Sequence, residues 1–291
     1  MKICFIGGGN MAHALIGGLL KNNFSAAQIS VVEINSDNRR ALQNQFSVRA
    51  TDNLADGIAG SAVIVLAVKP QQLHAVAIEL APLLTGQLLL SIAAGIRGTD
   101  LARWLNSHHI VRAMPNTPAL IQSGITGLYA LPEVSSAQRD TAQTIMAAVG
   151  ETLWLADEAM MDALTAVSGS GPAYVFYFIE ALQRAAIELG FNAADAQRLA
   201  AQTFLGASKL AASSTEEVSQ LRARVTSKNG TTERAVQSME GTHIQQKVIT
   251  AVQAAAARSK EMGIELGAAN IKTEPSIKTE PSTKTEQGGE K

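Results

Sequence analysis

Three stretches of the chain carry residue types whose spacing could do chemistry. In "ICFIGGGNMAHALIGGLL", Gly7, Gly9 and Ala12 form a G-x-G-x-x-A pattern directly after an apolar strand-like run and directly before a helix-like one. There Gly7 permits a tight turn, Gly9 lets a pyrophosphate approach the backbone, and Ala12 lets helix pack closely on strand, with the phosphates resting on the helix N-terminus. The pattern predicts a dinucleotide site; a glycine-rich turn that only joins strand to helix is the plainer alternative. In "VVEINSDNRR" two signals conflict. Glu33 ends the second strand about 20 residues beyond the glycine pattern, where an acid grips both ribose hydroxyls and favours NAD. Asn35, Ser36, Arg39 and Arg40 suit a 2′-phosphate instead. The third stretch is "NGTTERAV". Gly230 precedes a helical pattern, so the free N–H groups of Thr231 and Thr232 can receive a carboxylate, an attraction of about 0.3–1 kcal/mol from the helix dipole alone. Simple N-capping by Thr231 or Thr232 is the alternative.

The elements that must position these residues alternate up to about residue 155. The apolar runs "KICFI", "ISVVE", "AVIVLAV", "QLLLSI", "HIVRAM", "GITGLYA" and "ETLWLA" are separated mostly by helix-length segments. That order predicts crossover units and a mostly parallel, doubly wound sheet of Rossmann type. Lys69, in "AVKPQQL" at the carboxyl end of the strongest strand, lies where such sheets bind ligands. It is expected to face the ribose or nicotinamide side, a solvated lysine before a proline turn being the alternative. From Asp157 onward the periodicity becomes helical, over 158–167, 172–189, 193–212 and 231–262. We therefore expect a dinucleotide-binding domain at 1–156 and an all-helical dimerisation and substrate domain at 157–270. The segment 271–291, a near-perfect six-residue repeat of Lys, Thr, Glu, Pro and Ser, reads as a disordered tail or an artefact of expression.

Composition narrows the partners. Lys plus Arg number 24 against 25 Asp plus Glu, a net charge of −1, so no basic field exists to hold a nucleic acid. The longest clean apolar run is far short of the roughly 18 residues a membrane-spanning helix needs. Cys4 is the sole cysteine, which excludes an intrachain disulfide and suits a reducing, cytoplasmic compartment. The five histidines, His13, His74, His108, His109 and His243, lack metal-ligand spacing. "YVFYFIEAL", apolar around most of a helix, must be covered on more than one side, and a homodimer through the helical domain would cover it.

At "SIAAGI" and "RAMPNTPALIQSG" the pattern becomes specific, and with "VSGSGPAYVFYFIEAL" and "VTSKNGTTERAV" the chain, over residues 1 to about 265, resembles the pyrroline-5-carboxylate reductase family. The resemblance implies a Rossmann domain followed by a helical dimerisation domain, assembly as a homodimer or a decameric ring of dimers, and reduction of pyrroline-5-carboxylate to proline with NADPH, or with NADH. It implies cofactor contacts from Gly7, Gly8, Gly9, Asn10, Met11, Ala12, Asn35, Ser36, Asn53, Ala67, Val68, Lys69, Ala93, Ala94 and Gly95. Met114, Pro115 and Asn116 would lie near the nicotinamide and substrate. Gly230 and Thr231 would receive the substrate, and Thr232 would place its hydroxyl at the ring nitrogen. Ser168 opens "SGSGPAY", whose small residues would let a helix start approach the substrate without a steric wall. Two stretches depart from the family's usual pattern: Lys228–Asn229 stand where Pro-Gly is usual, and Glu33 stands where Asn or Thr is.

Reducing a C=N bond requires a hydride, a proton on nitrogen and a grip on the carboxylate, with no metal. Two other readings remain. A β-hydroxyacid dehydrogenase would be expected to carry a helical lysine as proton donor, and Lys209, Lys247 and Lys260 sit in no matching motif. A non-catalytic NADPH sensor would need the glycine loop but neither "MPNTP" nor "NGTT".

Overall fold

The computed structural model describes residues 1–269, so the expected disordered tail lies outside the described residues. The first part alternates β1 (Ile3–Ile6), α1 (Asn10–Lys21), β2 (Ile29–Val32), α2 (Ser36–Phe46), β3 (Arg49–Thr51), α3 (Leu54–Ile58), β4 (Val63–Leu66), α4 (Pro70–Leu80), β5 (Leu88–Ser91), α5 (Gly98–Leu105), β6 (Ile110–Met114), β7 (Gly124–Ala130), α6 (Ser136–Ala147) and β8 (Gly150–Trp154). These strands form one sheet in the order β3-β2-β1-β4-β5-β6-β7-β8. Every pairing is parallel except β6 with β7.

Strand order reverses between β1 and β4, and parallel sheets bind ligands in the crevice outside such a switch point. Register places that crevice at defined residues. Ile6 pairs with Val32 on one side and Leu66 on the other, so Gly7, Glu33 and Ala67 leave the sheet side by side. The central strands β1, β4 and β5 are wholly buried, as a sheet covered by helices on both faces requires. Phe5, Leu15, Ile16, Leu19 and Ile64 are among the side chains with no meaningful exposure, and each contributes about 1.5–3 kcal/mol by leaving water.

Cys4 lies in this core. Burial pushes its thiol up to about 11, with Ser30 and Arg49 opposing the shift. Because the thiolate is the reactive form, the native protein should consume almost no thiol reagent at pH 8 and one equivalent after denaturation. Rapid native labelling would contradict the burial.

The second part comprises α7 (Met160–Leu164), α8 (Gly171–Glu188), α9 (Ala193–Ser213), α10 (Val218–Arg224), α11 (Thr231–Gly241) and α12 (Ile244–Ala269). Two corrections follow. The segment expected as one helix over 231–262 is two helices, broken where His243 takes a left-handed φ of 54°; such a conformation costs a non-glycine residue energy and ends a helix. The break between 167 and 172 is instead a π-helical turn over Thr165–Gly169, in which the Ser170 N–H donates to the Thr165 carbonyl (2.8 Å), so α7 runs almost continuously into α8.

This helical part has little core within one chain. Among the described residues its buried apolar side chains are Met161, Ala166, Ala196 and Ala200, while α8, α10 and α11 bury none fully. The aromatics expected to bury in a core or against a partner divide accordingly. Tyr174 and Phe178 are half-buried, whereas Phe176 and Tyr177 are 65% and 72% exposed in the single chain. The joint between the parts includes polar bonds. Glu158 Oε1 accepts from the Gly98 N–H and from Arg112 Nη1, both at 2.6 Å, and the buried Ser259 hydroxyl donates to Asp162 (2.7 Å). No helix among the described residues is long and apolar enough to cross a membrane.

Candidate active site

At the switch point Gly7 turns the chain with φ +100°, donating its N–H to the Val32 carbonyl (2.8 Å). A β-carbon there would lie 2.7 Å from the Ala67 carbonyl oxygen, so a side chain is excluded both by conformation and by space. Gly9 is different. It is the N-cap of α1, exposed, with an extended backbone, and a β-carbon on it would meet nothing within 4 Å. The first turn of α1 has no side-chain cap and no acidic residue, so Asn10, Met11 and Ala12 open a helix end whose N–H groups favour an anion. Ala12 is buried beneath it. The loop borders a cleft of about 430 Å³ shared by Gly7, Gly8, Gly9, Asn35, Val68 and Lys69, within the size range of small-ligand sites. An open glycine, an uncapped helix and a cleft of that volume fit a dinucleotide.

The flank of the cleft is arranged otherwise than its composition suggests. Glu33 binds the glycine loop itself: Oε2 accepts from the Gly8 N–H (3.0 Å) and Oε1 from the Asn35 N–H (2.8 Å). Arg39 is tied to residues at the cleft's border, donating from Nη1 to the carbonyls of Glu33 (2.7 Å) and Ile34 (2.9 Å) and pairing through Nη2 with Asp52 (2.9 Å). Arg40 pairs with Asp37. Asn35 caps α2, accepting from the N–H groups of Asp37 and Asn38, and Ser36 follows as the first helical residue. Asn53 caps α3 by accepting from the Asp56 N–H, and its neighbours Asp52 and Leu54 line the cleft. Lys69 is exposed, N-caps α4 ahead of Pro70, and has no ion pair among the described residues.

Further along the same carboxyl edge of the sheet, Ala93, Ala94 and Gly95 follow β5, which pairs parallel with β4, and Gly95, at φ +72°, abuts Met262 and Leu266 of α12. Met114 ends β6 with its Cε 2.8 Å from where a β-carbon on Gly169 would sit, so the π-helical turn touches the strand end directly. Asn116 accepts from the Ile125 N–H through Oδ1 (3.0 Å), and Pro115 is buried between them in sequence. Ser168 is half-buried in the π-helical turn, its hydroxyl donating to the Leu164 carbonyl (3.0 Å). Met114, Ser168 and Gly169 therefore belong to one locality.

The threonine pair sits elsewhere in the chain. Gly230, not a threonine, is the N-cap of α11, and no side chain caps it. Thr231 and Thr232 are the first two helical residues, exposed and half-buried respectively. The loop is closed by its own bonds, Gly230 N–H to the Ser227 carbonyl (3.0 Å) and Asn229 N–H to Glu233 Oε2 (2.7 Å). α11 packs mainly on α12.

Residues 158–262 match the family described as pyrroline-5-carboxylate reductase dimerisation, and residues 2–95 match NADP oxidoreductase, coenzyme F420-dependent. The chain is 46% identical over 268 residues to a pyrroline-5-carboxylate reductase of Pseudomonas aeruginosa, covering 91% of this chain and 98% of that protein. The chain belongs to the pyrroline-5-carboxylate reductase family. A solved member from Coxiella burnetii superposes with a TM-score of 0.86 at 40% identity, covering 90% of this chain and 98% of that one. A Plasmodium falciparum pyrroline carboxylate reductase crystallised with NADP bound superposes at 0.81, with 29% identity and coverage of 90% and 98%.

For a pyrroline-5-carboxylate reductase, three features of this site escape sequence reading. The π-helical turn at 165–169 has no marker beyond small residues. Glu233 reaches back to the Asn229 N–H, and only its place three residues after the N-cap hints at that. Tyr174, in the first turn of α8, holds a buried hydroxyl with no hydrogen-bond partner among the described residues.

Proposed function

We propose that this chain reduces the C=N bond of 1-pyrroline-5-carboxylate to give L-proline, with NAD(P)H as hydride donor. The observation that carries the reading is the open Gly9 and uncapped α1 above the switch-point cleft, in a chain that also bears the dimerisation domain of this family. When bound, the reduced nicotinamide would supply a hydride, two electrons with one proton, to the imine carbon, and the nitrogen takes a second proton. Gly7 through Ala12 hold the pyrophosphate. Asn35, Ser36, Asn53 and the stretch Ala67, Val68, Lys69 border the adenosine half, and Ala93, Ala94 and Gly95 guide the chain toward Met114 and Asn116. Asn116 spends its carbonyl oxygen on Ile125, so its amide N–H groups would be the donors it could offer a substrate.

The amides at Gly230, Thr231 and Thr232 would take the substrate carboxylate, and the Thr232 hydroxyl would orient the ring nitrogen. Among the described residues no hydrogen bond or ion pair ties 227–232 to the sheet-bearing part, and the apolar face of α8 needs a second copy. We therefore read the meeting of Thr232 with Met114 and Ser168 as one made between protomers of a homodimer, joined through a helical domain spanning about 157–270 and able to build a decameric ring. The balanced charge, single cysteine and reaction type suit the cytoplasm.

The proton need not come from Thr232, since the imine can arrive protonated and an alcohol is a weak acid. Thr232→Ala should therefore lower turnover about tenfold or less, the worth of a positioning hydrogen bond. A true general acid would cost roughly 10² to 10⁴, so a loss above a hundredfold would overturn the positioning role. The activity itself is tested by following loss of reduced-cofactor absorbance with pyrroline-5-carboxylate, alongside a hydroxyacid with the oxidised cofactor. Turnover of the hydroxyacid alone would replace this reading with that of a hydroxyacid dehydrogenase.

A further inference from the structure

We infer that Glu33 makes this chain select NADH over NADPH. The inference rests on the dinucleotide-dependent reductase reading above and concerns only the corner of the cleft where the two cofactors differ.

The cleft as a whole is acidic. Glu33, Asp52 and Glu79 line the cleft, and Lys69 is the single basic residue among its lining. Glu33 is held in place rather than free to swing away, since its two oxygens accept from the Gly8 and Asn35 N–H groups. A carboxylate has roughly four acceptor positions, so the two remaining ones stay available to a ribose diol at the end of β2. NADH offers two hydroxyl donors there. NADPH replaces one with a phosphate that carries close to two negative charges at neutral pH and donates nothing.

The cations that could reverse this preference are engaged. Arg39 makes two bonds to backbone carbonyls through Nη1 and an ion pair with Asp52 through Nη2, so a phosphate would have to compete with the Asp52 carboxylate for its charge. Arg40 faces Asp37. Asn35 and Ser36 remain as neutral donors at the start of α2, with the Asn35 oxygen already committed to capping. Lys69, one positive charge, stands against three carboxylates.

The test is a titration of the intact protein with NADH and with NADPH, read by the fluorescence of the bound nicotinamide. The wild type should bind NADH at least about tenfold more tightly, a gap of about 1.4 kcal/mol. Glu33→Gln should shrink that ratio several-fold. A merely loop-bracing role for Glu33 would weaken both cofactors alike and leave the ratio unchanged, and that result overturns the inference, as does equal or tighter NADPH binding by the wild type. Should the variant fail to fold, salt serves on the wild type. Repulsion of a 2′-phosphate is screened as ionic strength rises, so the ratio should narrow between about 0.05 and 0.5 M salt, and a constant or widening ratio refutes it. Binding of neither dinucleotide would sink the reductase reading itself, a different outcome from binding with the reverse preference.

Discussion

Gly9→Asp should weaken dinucleotide binding at least a hundredfold, about 2.7 kcal/mol, while shifting the melting temperature by no more than a few degrees. The two effects separate because of what surrounds Gly9. Its φ of −75° suits any residue, a β-carbon meets no atom within 4 Å, and an aspartate at an N-cap is a favoured helix start. The fold accepts the side chain, and the carboxylate then occupies the ground a pyrophosphate needs and repels it. Gly7→Ala makes the contrast, since its β-carbon would press on the Ala67 carbonyl at 2.7 Å and the fold itself should suffer. Titration calorimetry with NADH, beside thermal denaturation, measures both quantities. A loss smaller than tenfold for Gly9→Asp would mean that the phosphates lie elsewhere.

The second large effect concerns assembly. Phe176→Glu should convert the protein to monomers and reduce turnover by about two orders of magnitude while dinucleotide binding survives. Phe176 and Tyr177 stand 65% and 72% exposed, and Leu210 and Val225 add 68% and 69% on α9 and at the end of α10. Apolar surface on this scale is an interaction site, and it falls in the region that matches the family's dimerisation domain. A charge placed there must be desolvated on association. Light scattering gives the mass, and the same preparation gives turnover. A variant that stays dimeric and fully active would show that the mating face is another one.

The sheet was legible where strands are long, apolar and bounded by turn residues, which is why seven of its strands can be read directly. β3 could not, because Arg49–Thr51 is three residues with no apolar run and becomes a strand only by pairing beside β2. α10 is short and polar and escaped for a similar reason. The break at His243 leaves only a weak trace, Gly241 at the end of α11, because an isolated glycine is also tolerated inside a helical pattern. At the site, the glycine loop is written in local spacing. The use made of Arg39 is not: a guanidinium near Asn35 and Ser36 reads as a phosphate ligand until the fold brings the carbonyls of Glu33 and Ile34 and the carboxylate of Asp52 within its reach. Partners chosen by tertiary proximity leave no periodic trace.

The wide turn at Thr165–Gly169 sets an angular phase. A helix advances about 100° per residue, so a single surplus residue between α7 and α8 fixes the compass bearing of everything downstream relative to the strand end at Met114. Were that surplus lost, the aromatic flank carrying Phe176 would swing by more than a quarter turn, and whatever surface it meets would have to turn with it.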